Sequence, residues 1–283
     1  MPTRREMMQI AALAAAAAGT SSKAATDSNN IKKYVRFEKN GRTAFGLLEG
    51  ETIHVLPGNF VHSIKPTRET VPLKSVTLLA PCDPLKVLAV GLNYKSHIGT
   101  RTPPSAPEMF YKPITCLTRH EGEIVIPKDS KNTHYEGELV IVMGKGAHNA
   151  SREEAAAAIF GVTCGNDVSE RDWQGGPQKD LQWWRAKGAD TFGPVGPWVV
   201  TGLDYGNLLV QTKLNGEVVQ KQNTNDLLFD CPAIVSYTSR YVTLTPGDVI
   251  FTGTPGATRK MKSGDIIEVD IEGIGVLRNK VVA

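Results

Sequence analysis

Apolar residues in this chain come in short alternating groups and not in long helical faces. Between Lys33 and Ile53 the segments Tyr34-Val35-Arg36-Phe37 and Ala44-Phe45-Gly46-Leu47-Leu48 flank Asn40-Gly41, a pair that accepts positive φ and so favours a tight hairpin. The same chemistry predicts a hairpin at Asn215-Gly216, between strands over 208–214 and 217–222. Pro246-Gly247-Asp248 and Ser263-Gly264-Asp265 each introduce a further β-branched run. Helical signals are few. Ser151 with Glu154 forms a capping box before an Ala-rich stretch to 158, Ser169 opens a short helix to 174, and Asp230 caps a helix over 232–240. The pattern predicts an α+β, predominantly β protein, with a small N-terminal β module over 31–80. Pro81 and Pro84 bracket a boundary, and a larger domain of mostly sheet follows over 84–281.

Composition narrows this picture. With 41% hydrophobic and 22% charged residues over 283 positions, the chain can bury a sizeable core. No apolar run is long enough to span a bilayer, so no membrane role is expected for the mature chain. At the amino terminus, Arg4-Arg5-Glu6 leads into an Ala-rich apolar stretch over 10–18 and then a Ser-rich tract. This reads as a twin-arginine export signal over 1–25, which implies a periplasmic protein, or a cytoplasmic one if the signal is not used. Without that segment the net charge falls from +3 to +1, because Arg4, Arg5, Lys23 and Glu6 leave with it. So small a charge implies no nucleic-acid partner. Cys82, Cys116, Cys164 and Cys231 form no C-x-x-C pair, which excludes zinc-knuckle and thioredoxin-type readings and favours small buried thiols.

The segment Tyr135-Glu136-Gly137-Glu138-Leu139-Val140-Ile141-Val142 carries the most chemical information. Strand alternation puts Glu136 and Glu138 on one face with Val140 and Val142. Alone, a Glu-x-Glu reads as the solvated end of a hairpin. Here it runs into an apolar strand, where unpaired carboxylates cost several kcal/mol each and a bound cation is the economical remedy. A third carboxylate, Asp167, follows the apolar run from 159 to 164 and precedes the short helix from Ser169. In that helix Arg171 and Gln174 share a face at i, i+3, and Lys187 lies shortly downstream. His134 falls on the glutamate face as a possible neighbour of the site, while Trp173, Trp183 and Trp184 are expected as pocket wall, core or dimer contacts. His54, His62, His120 and His148 show no ligand spacing and read as surface.

From about Lys86 to Lys280 the chain resembles the catalytic domain of the fumarylacetoacetate hydrolase family. The matching pieces, in order, begin with Gly91-Leu92-Asn93-Tyr94-x-x-His97, Tyr135-Glu136-x-Glu138-Leu139 and Asn166-Asp167-Val168-x-x-Arg171-Asp172-x-Gln174. Next come Ala186-Lys187-Gly188-x-Asp190-Thr191-Phe192-Gly193-Pro194, Asn215-Gly216-Glu217, Leu244-x-Pro246-Gly247-Asp248 and Gly253-Thr254-Pro255. The resemblance implies a mixed β-sandwich/β-roll catalytic domain. It also implies one magnesium, manganese or calcium ion on Glu136, Glu138 and Asp167, an all-oxygen donor set that suits these hard cations. It makes His97 the general base and Lys187 the electrophilic partner of a metal-stabilised enolate. It places Tyr94, Arg171, Gln174, Gly253 and Thr254 around a small-molecule 2-oxo acid and suggests a homodimer.

The leading expectation is hydrolysis of a carbon–carbon bond in an acylpyruvate-type acid. One departure from the family pattern bears on it. Many hydrolases of the family carry a glutamate three residues after the histidine, and this chain has Thr100 there, with Glu108 further along as a possible substitute. Decarboxylation, keto–enol isomerisation or dehydration of a 2-oxo acid is therefore the alternative, and an exported, non-catalytic 2-oxo acid binding protein is a third reading.

Overall fold

The computed structural model describes residues 30–283; the expected export signal over 1–25 lies outside them. The first described strands are β1 (Lys32–Lys39), β2 (Arg42–Glu49), β3 (Thr52–Val55), β4 (Thr70–Pro72) and β5 (Thr77–Leu78). β1 and β2 meet at Asn40 (φ 52°) and Gly41 (φ 75°), the positive-φ turn that the sequence predicts. Then come β6 (Val87–Gly91), the one-turn helix α1 (Lys95–Ile98), β7 (Glu108–Lys112), β8 (Leu117–Thr118), β9 (Glu123–Val125) and β10 (Thr133–His134). The middle of the chain forms β11 (Gly137–Met143), α2 (Arg152–Ala158), β12 (Ile159–Asn166), β13 (Ser169–Glu170), α3 (Arg171–Gly175) and β14 (Gly193–Thr201). The last elements are β15 (Leu209–Leu214), β16 (Glu217–Asn223), α4 (Cys231–Ser239), β17 (Val249–Phe251), β18 (Ile266–Ile271) and β19 (Gly275–Val282).

A large sheet runs in the order β4-β3-β2-β1-β14-β12-β11-β17-β6-β7, with β5 on β1 and β8 on β14, and a second sheet runs β16-β15-β18-β19-β9. The fold is thus predominantly β, as the alternation predicts. β11 lies at its heart, with all seven residues buried. Leu139, Ile141 and Met143 share one core with Val210, Val269 and Ile271 of the second sheet and Ile234 and Val235 of α4. Val140 and Val142 point the other way, into a core with Tyr34, Phe60, Val199 and Phe251. Burying each such side chain contributes about 1.5–3 kcal/mol, so β11 is anchored from both faces.

The helices follow their caps, with one correction. Ser151 and Glu154 close the capping box of α2, and the Asp230 carboxylate accepts the Ala233 N–H at the start of α4. The expected helix from Ser169 begins later, because Ser169 and Glu170 pair with Thr133 and His134 as strand. The buried Glu170 carboxylate then caps α3 by accepting the Asp172 N–H, and it also takes bonds from Ser130, Asn132 and Thr133. All four cysteines are free and buried. No helix of the described residues is long and apolar enough to cross a membrane.

The N-terminal strands are not a separate sheet. β1 hydrogen-bonds to β14 with Tyr34 opposite Val199, and Tyr34, Phe60 and Phe160 pack with ring centroids 5.0–5.5 Å apart.

Candidate metal centre and active site

The register of β11 against β12 assembles the acidic cluster. Gly137 pairs with Asn166 and Glu138 with Gly165, so Glu136 and Asp167 meet just beyond the ladder, where the Asp167 N–H donates to the Glu136 carbonyl at 2.9 Å. The Asn166 side chain fixes the same corner by accepting the Glu136 N–H at 2.8 Å. Gly137 separates the two glutamates for a steric reason. A Cβ there would lie 2.0 Å from Thr212 Oγ1 of the second sheet, so any larger residue would push the carboxylate strand off its support.

Glu136, Glu138 and Asp167 are all buried, and each offers a carboxylate oxygen within 4.8 Å of the others. The solvated-hairpin alternative is thereby excluded. Two of the three are already paired with cations. Lys187 Nζ donates to Glu136 Oε2 at 2.7 Å and to Asp167 Oδ2 at 2.6 Å, and Arg171 Nη2 lies 2.5 Å from Glu136 Oε1. Burial pushes the Glu136 carboxyl up, but Lys187 and Arg171 more than offset it and hold it well below the usual carboxylate range. Glu138 has no such partner: it accepts the Gly253 N–H at 2.7 Å and pairs with no cationic side chain among the described residues. Burial, and then the charges of Asp167 and Glu136, raise its carboxyl well above the ordinary value. Three hard oxygen donors converging, one of them without a cationic partner, fit a magnesium-, manganese- or calcium-type ion and not a soft metal.

A cation that the sequence reading missed completes the cluster. Lys112, at the end of β7, is buried and donates from Nζ to Asp167 Oδ1 at 2.6 Å, to the Phe192 carbonyl at 3.2 Å and to the Lys187 carbonyl. Burial pulls its pKa down, but the adjacent Asp167 outweighs this and the ammonium stays protonated, its pKa raised overall. The only signal for it was alternation in Glu108-Met109-Phe110-Tyr111-Lys112, which puts Lys112 on the same side as the inward Phe110. Gln220 of β16 was also missed. It donates to Thr254 Oγ1 at 2.9 Å and to the Pro255 carbonyl at 2.6 Å, and it accepts the Gly137 N–H at 3.2 Å.

Beside the cluster opens a cavity of about 300 Å³ lined by His97, Arg101, Phe110, Glu136, Arg171, Gln174, Trp183, Lys187 and Thr254, among others. Most of the expected site residues therefore share one space. Arg171 Nη1 donates to Gln174 Oε1 at 2.6 Å, and the Thr254 hydroxyl donates to the Gly137 carbonyl at 3.0 Å. His134 stands behind Arg171, since both contact the Thr258 hydroxyl, at 2.9 and 2.8 Å. Two expected substrate contacts fall elsewhere. Tyr94 is fully buried, does not line the cavity and leaves its hydroxyl unpartnered; burial, and then the charge of Glu138, raise that hydroxyl's pKa. Gly253 lies behind Glu138 and is a glycine by necessity: its φ is +105°, and a Cβ would come within 2.9 Å of Asn93 Cβ.

His97 sits on α1 at the cavity wall, half-buried, with Nδ1 2.5 Å from the Gly256 carbonyl. A carbonyl only accepts, so Nδ1 carries the hydrogen and Nε2 is left as the basic nitrogen. Thr100 is exposed, and Glu108 pairs in register with Gly91 at the exposed start of β7, without any bond to His97. Glu108 therefore does not replace the missing glutamate; Gly256 orients the ring instead. Of the tryptophans, Trp173 is buried, Trp184 is exposed, and Trp183 walls the cavity against Phe110 at 5.4 Å in an edge contact. Among the histidines read as surface, His120 is half-buried, with Nδ1 accepting the Arg278 N–H.

Residues 86–282 match the family described as fumarylacetoacetate (FAA) hydrolase C-terminal, and residues 32–81 match the Rv2993c-like N-terminal family. The chain is 36% identical over 264 residues to the mitochondrial oxaloacetate tautomerase Fahd2a of Rattus norvegicus, covering 89% of this chain and 80% of that one. It superposes on 2-hydroxyhepta-2,4-diene-1,7-dioate isomerase from Mycobacterium marinum with TM-score 0.82 at 39% identity, covering 89% and 98% of the two chains. It also superposes on maleylpyruvate hydrolase from Sphingobium sp. SYK-6, in complex with manganese(II) and pyruvate, with TM-score 0.73 at 27% identity, covering 88% and 98%. Hydrolase, isomerase and tautomerase names thus share one scaffold. From its ordered motifs, its buried acidic triad and these matches, the chain belongs to the fumarylacetoacetate hydrolase family of enzymes.

Proposed function

We propose that this protein is a divalent-metal-dependent enzyme that moves a proton next to the carbonyl of a small 2-oxo acid, interconverting its keto and enol forms. The observation that carries the proposal is the setting of His97: Nε2 is free at the cavity wall, and Nδ1 is held by a neutral carbonyl and by no carboxylate among the described residues. A base of this kind suits removal of an already acidified carbon-bound proton better than activation of water. Glu136, Glu138 and Asp167 would hold a magnesium, manganese or calcium ion, which supplies Lewis acidity at the 2-oxo carbonyl. Lys187, ammonium beside two of these carboxylates, places positive charge where the carbonyl oxygen gains negative charge. Arg171 and Gln174, locked to each other, orient the acid's polar groups, and Phe110 with Trp183 keeps bulk water away from the reacting carbon.

The second reading is cleavage of an acylpyruvate. The likeness to a maleylpyruvate hydrolase favours it, but it needs a water activated by the same His97. The two are separated by offering the manganese-loaded protein enol-oxaloacetate and a panel of acylpyruvates, following the ultraviolet absorbance of the enol and the release of pyruvate. Enol decay should be accelerated, stop on chelation, and fall by about 10²–10⁴-fold in His97→Asn. Pyruvate release from an acylpyruvate, with enol decay at the solvent rate, would put hydrolysis in its place.

A further inference from the structure

Arg101 is a charge that the proposed reaction leaves unused. It lies on the cavity lining four residues after His97. Its guanidinium is held by the end of its own helix: Nε donates to the Ile98 carbonyl at 3.0 Å and Nη2 to the His97 carbonyl at 2.6 Å. Nη1 has no partner among the described residues, and no described carboxylate lies within ion-pairing distance of Arg101. The other charged groups on the wall are already matched, since Glu136 is paired with both Arg171 and Lys187. Arg101 is therefore an unneutralised, pre-oriented cation facing the cavity, and it is exposed where the acidic triad is buried.

We propose that Arg101 is a specificity residue that selects 2-oxo acids bearing a second, distal carboxylate. The proposal rests on the reading of this cavity as a 2-oxo acid site. The acid's 2-oxo carboxylate end belongs at the buried triad and the distal carboxylate at the exposed wall, where Arg101 can bind it. A guanidinium is suited to this, because its planar donors match a carboxylate, and because its orientation is already fixed by backbone carbonyls, so less freedom is lost on binding. The shortness of the cavity sets the limit on length: about 300 Å³ is at the small end for ligand sites and admits a short diacid.

Calorimetric titration of the manganese-loaded protein with 2-oxobutyrate, which has one carboxylate, and with oxaloacetate, 2-oxoglutarate and 2-oxoadipate, which have two, tests this. At least one diacid should bind about ten- to a hundredfold more tightly than 2-oxobutyrate, the range expected of a charge-assisted hydrogen bond. In Arg101→Gln that ratio should collapse to within about threefold, and Arg101→Lys should keep part of it. A wild-type protein without the preference, or an Arg101→Gln variant that retains it, overturns the role of Arg101 while leaving the 2-oxo acid reading intact. If the protein takes up manganese but binds none of the four acids, the reading of the cavity fails and the role of Arg101 with it.

Discussion

Replacing Lys112 with methionine keeps most of the side-chain volume and removes the charge. The buried Asp167 carboxylate loses its 2.6 Å partner on Oδ1, and the Phe192 and Lys187 carbonyls lose a donor. Removing one member of a buried ion pair costs about 3–5 kcal/mol, because the remaining charge has no solvent to turn to. Lys187 still holds Oδ2 at 2.6 Å, which keeps the loss toward the lower end. For a chain of this size each kcal/mol lowers the melting temperature by roughly 2–4 °C, so a loss near about 3 kcal/mol gives an expected drop of roughly 6–12 °C in the presence of chelator. Thermal unfolding followed by circular dichroism measures it. Excess manganese should recover a good part of the difference, since an ion on the acidic cluster supplies the charge that Asp167 lacks. A melting temperature within about 2 °C of wild type in chelator would refute the argument, because it would mean that Asp167 does not depend on Lys112 for neutralisation.

Glu138→Gln should weaken metal binding by at least about 100-fold, the upper end for changes one shell further out. It should leave the metal-free protein as stable as wild type or more so near neutral pH, because it removes a carboxylate whose charge burial already disfavours; calorimetric titration and melting curves report both. The same carboxyl sets a pH dependence. Its folded pKa is raised, so its contribution to metal-free stability is complete below the ordinary carboxylate pKa and is lost as pH rises through the raised value, whereas a metal ion binds only the ionised form. The rise in melting temperature on adding manganese should therefore grow as pH is raised above the ordinary carboxylate range, and a flat response would contradict the assignment. Burial lifts the thiols of Cys82 and Cys231 to about 12 and of Cys116 to about 11, so native protein should resist a thiol-specific reagent at mildly alkaline pH. All four cysteines should react once the chain is unfolded, and rapid native labelling of any of them would argue against this packing.

What could be read from the sequence and what could not divides along the range of the interactions. The Asn40-Gly41 and Asn215-Gly216 turns and the Ser151 capping box are local chemistry, and each forms where its residues predict. Glu136 and Glu138 were legible because strand period and an apolar run put carboxylates where water is absent, and the family resemblance joined Asp167 to them. Lys112 was not, since its partner lies 55 positions away and strand alternation alone says which side a lysine takes, not what it meets there. The orientation of His97 escaped for another reason: a backbone carbonyl, Gly256, supplies it, and a carbonyl has no letter in the sequence. The helix expected from Ser169 starts only at Arg171, because local capping propensity at Ser169 lost to strand pairing with Thr133 and His134.

The union of β1 with β14 has a consequence for how this protein can be taken apart. The two family matches, 32–81 and 86–282, read as separable cassettes, but the hydrogen bonds between Lys32–Tyr34 and Val199–Thr201 cross that seam. Cutting at the proline-flanked boundary would strip β14 of a neighbour and leave a raw edge of unpaired backbone, with Phe160 bared beside it, an invitation to aggregation. The leading segment works as a splint along the β14 edge of the sheet that carries the acidic cluster.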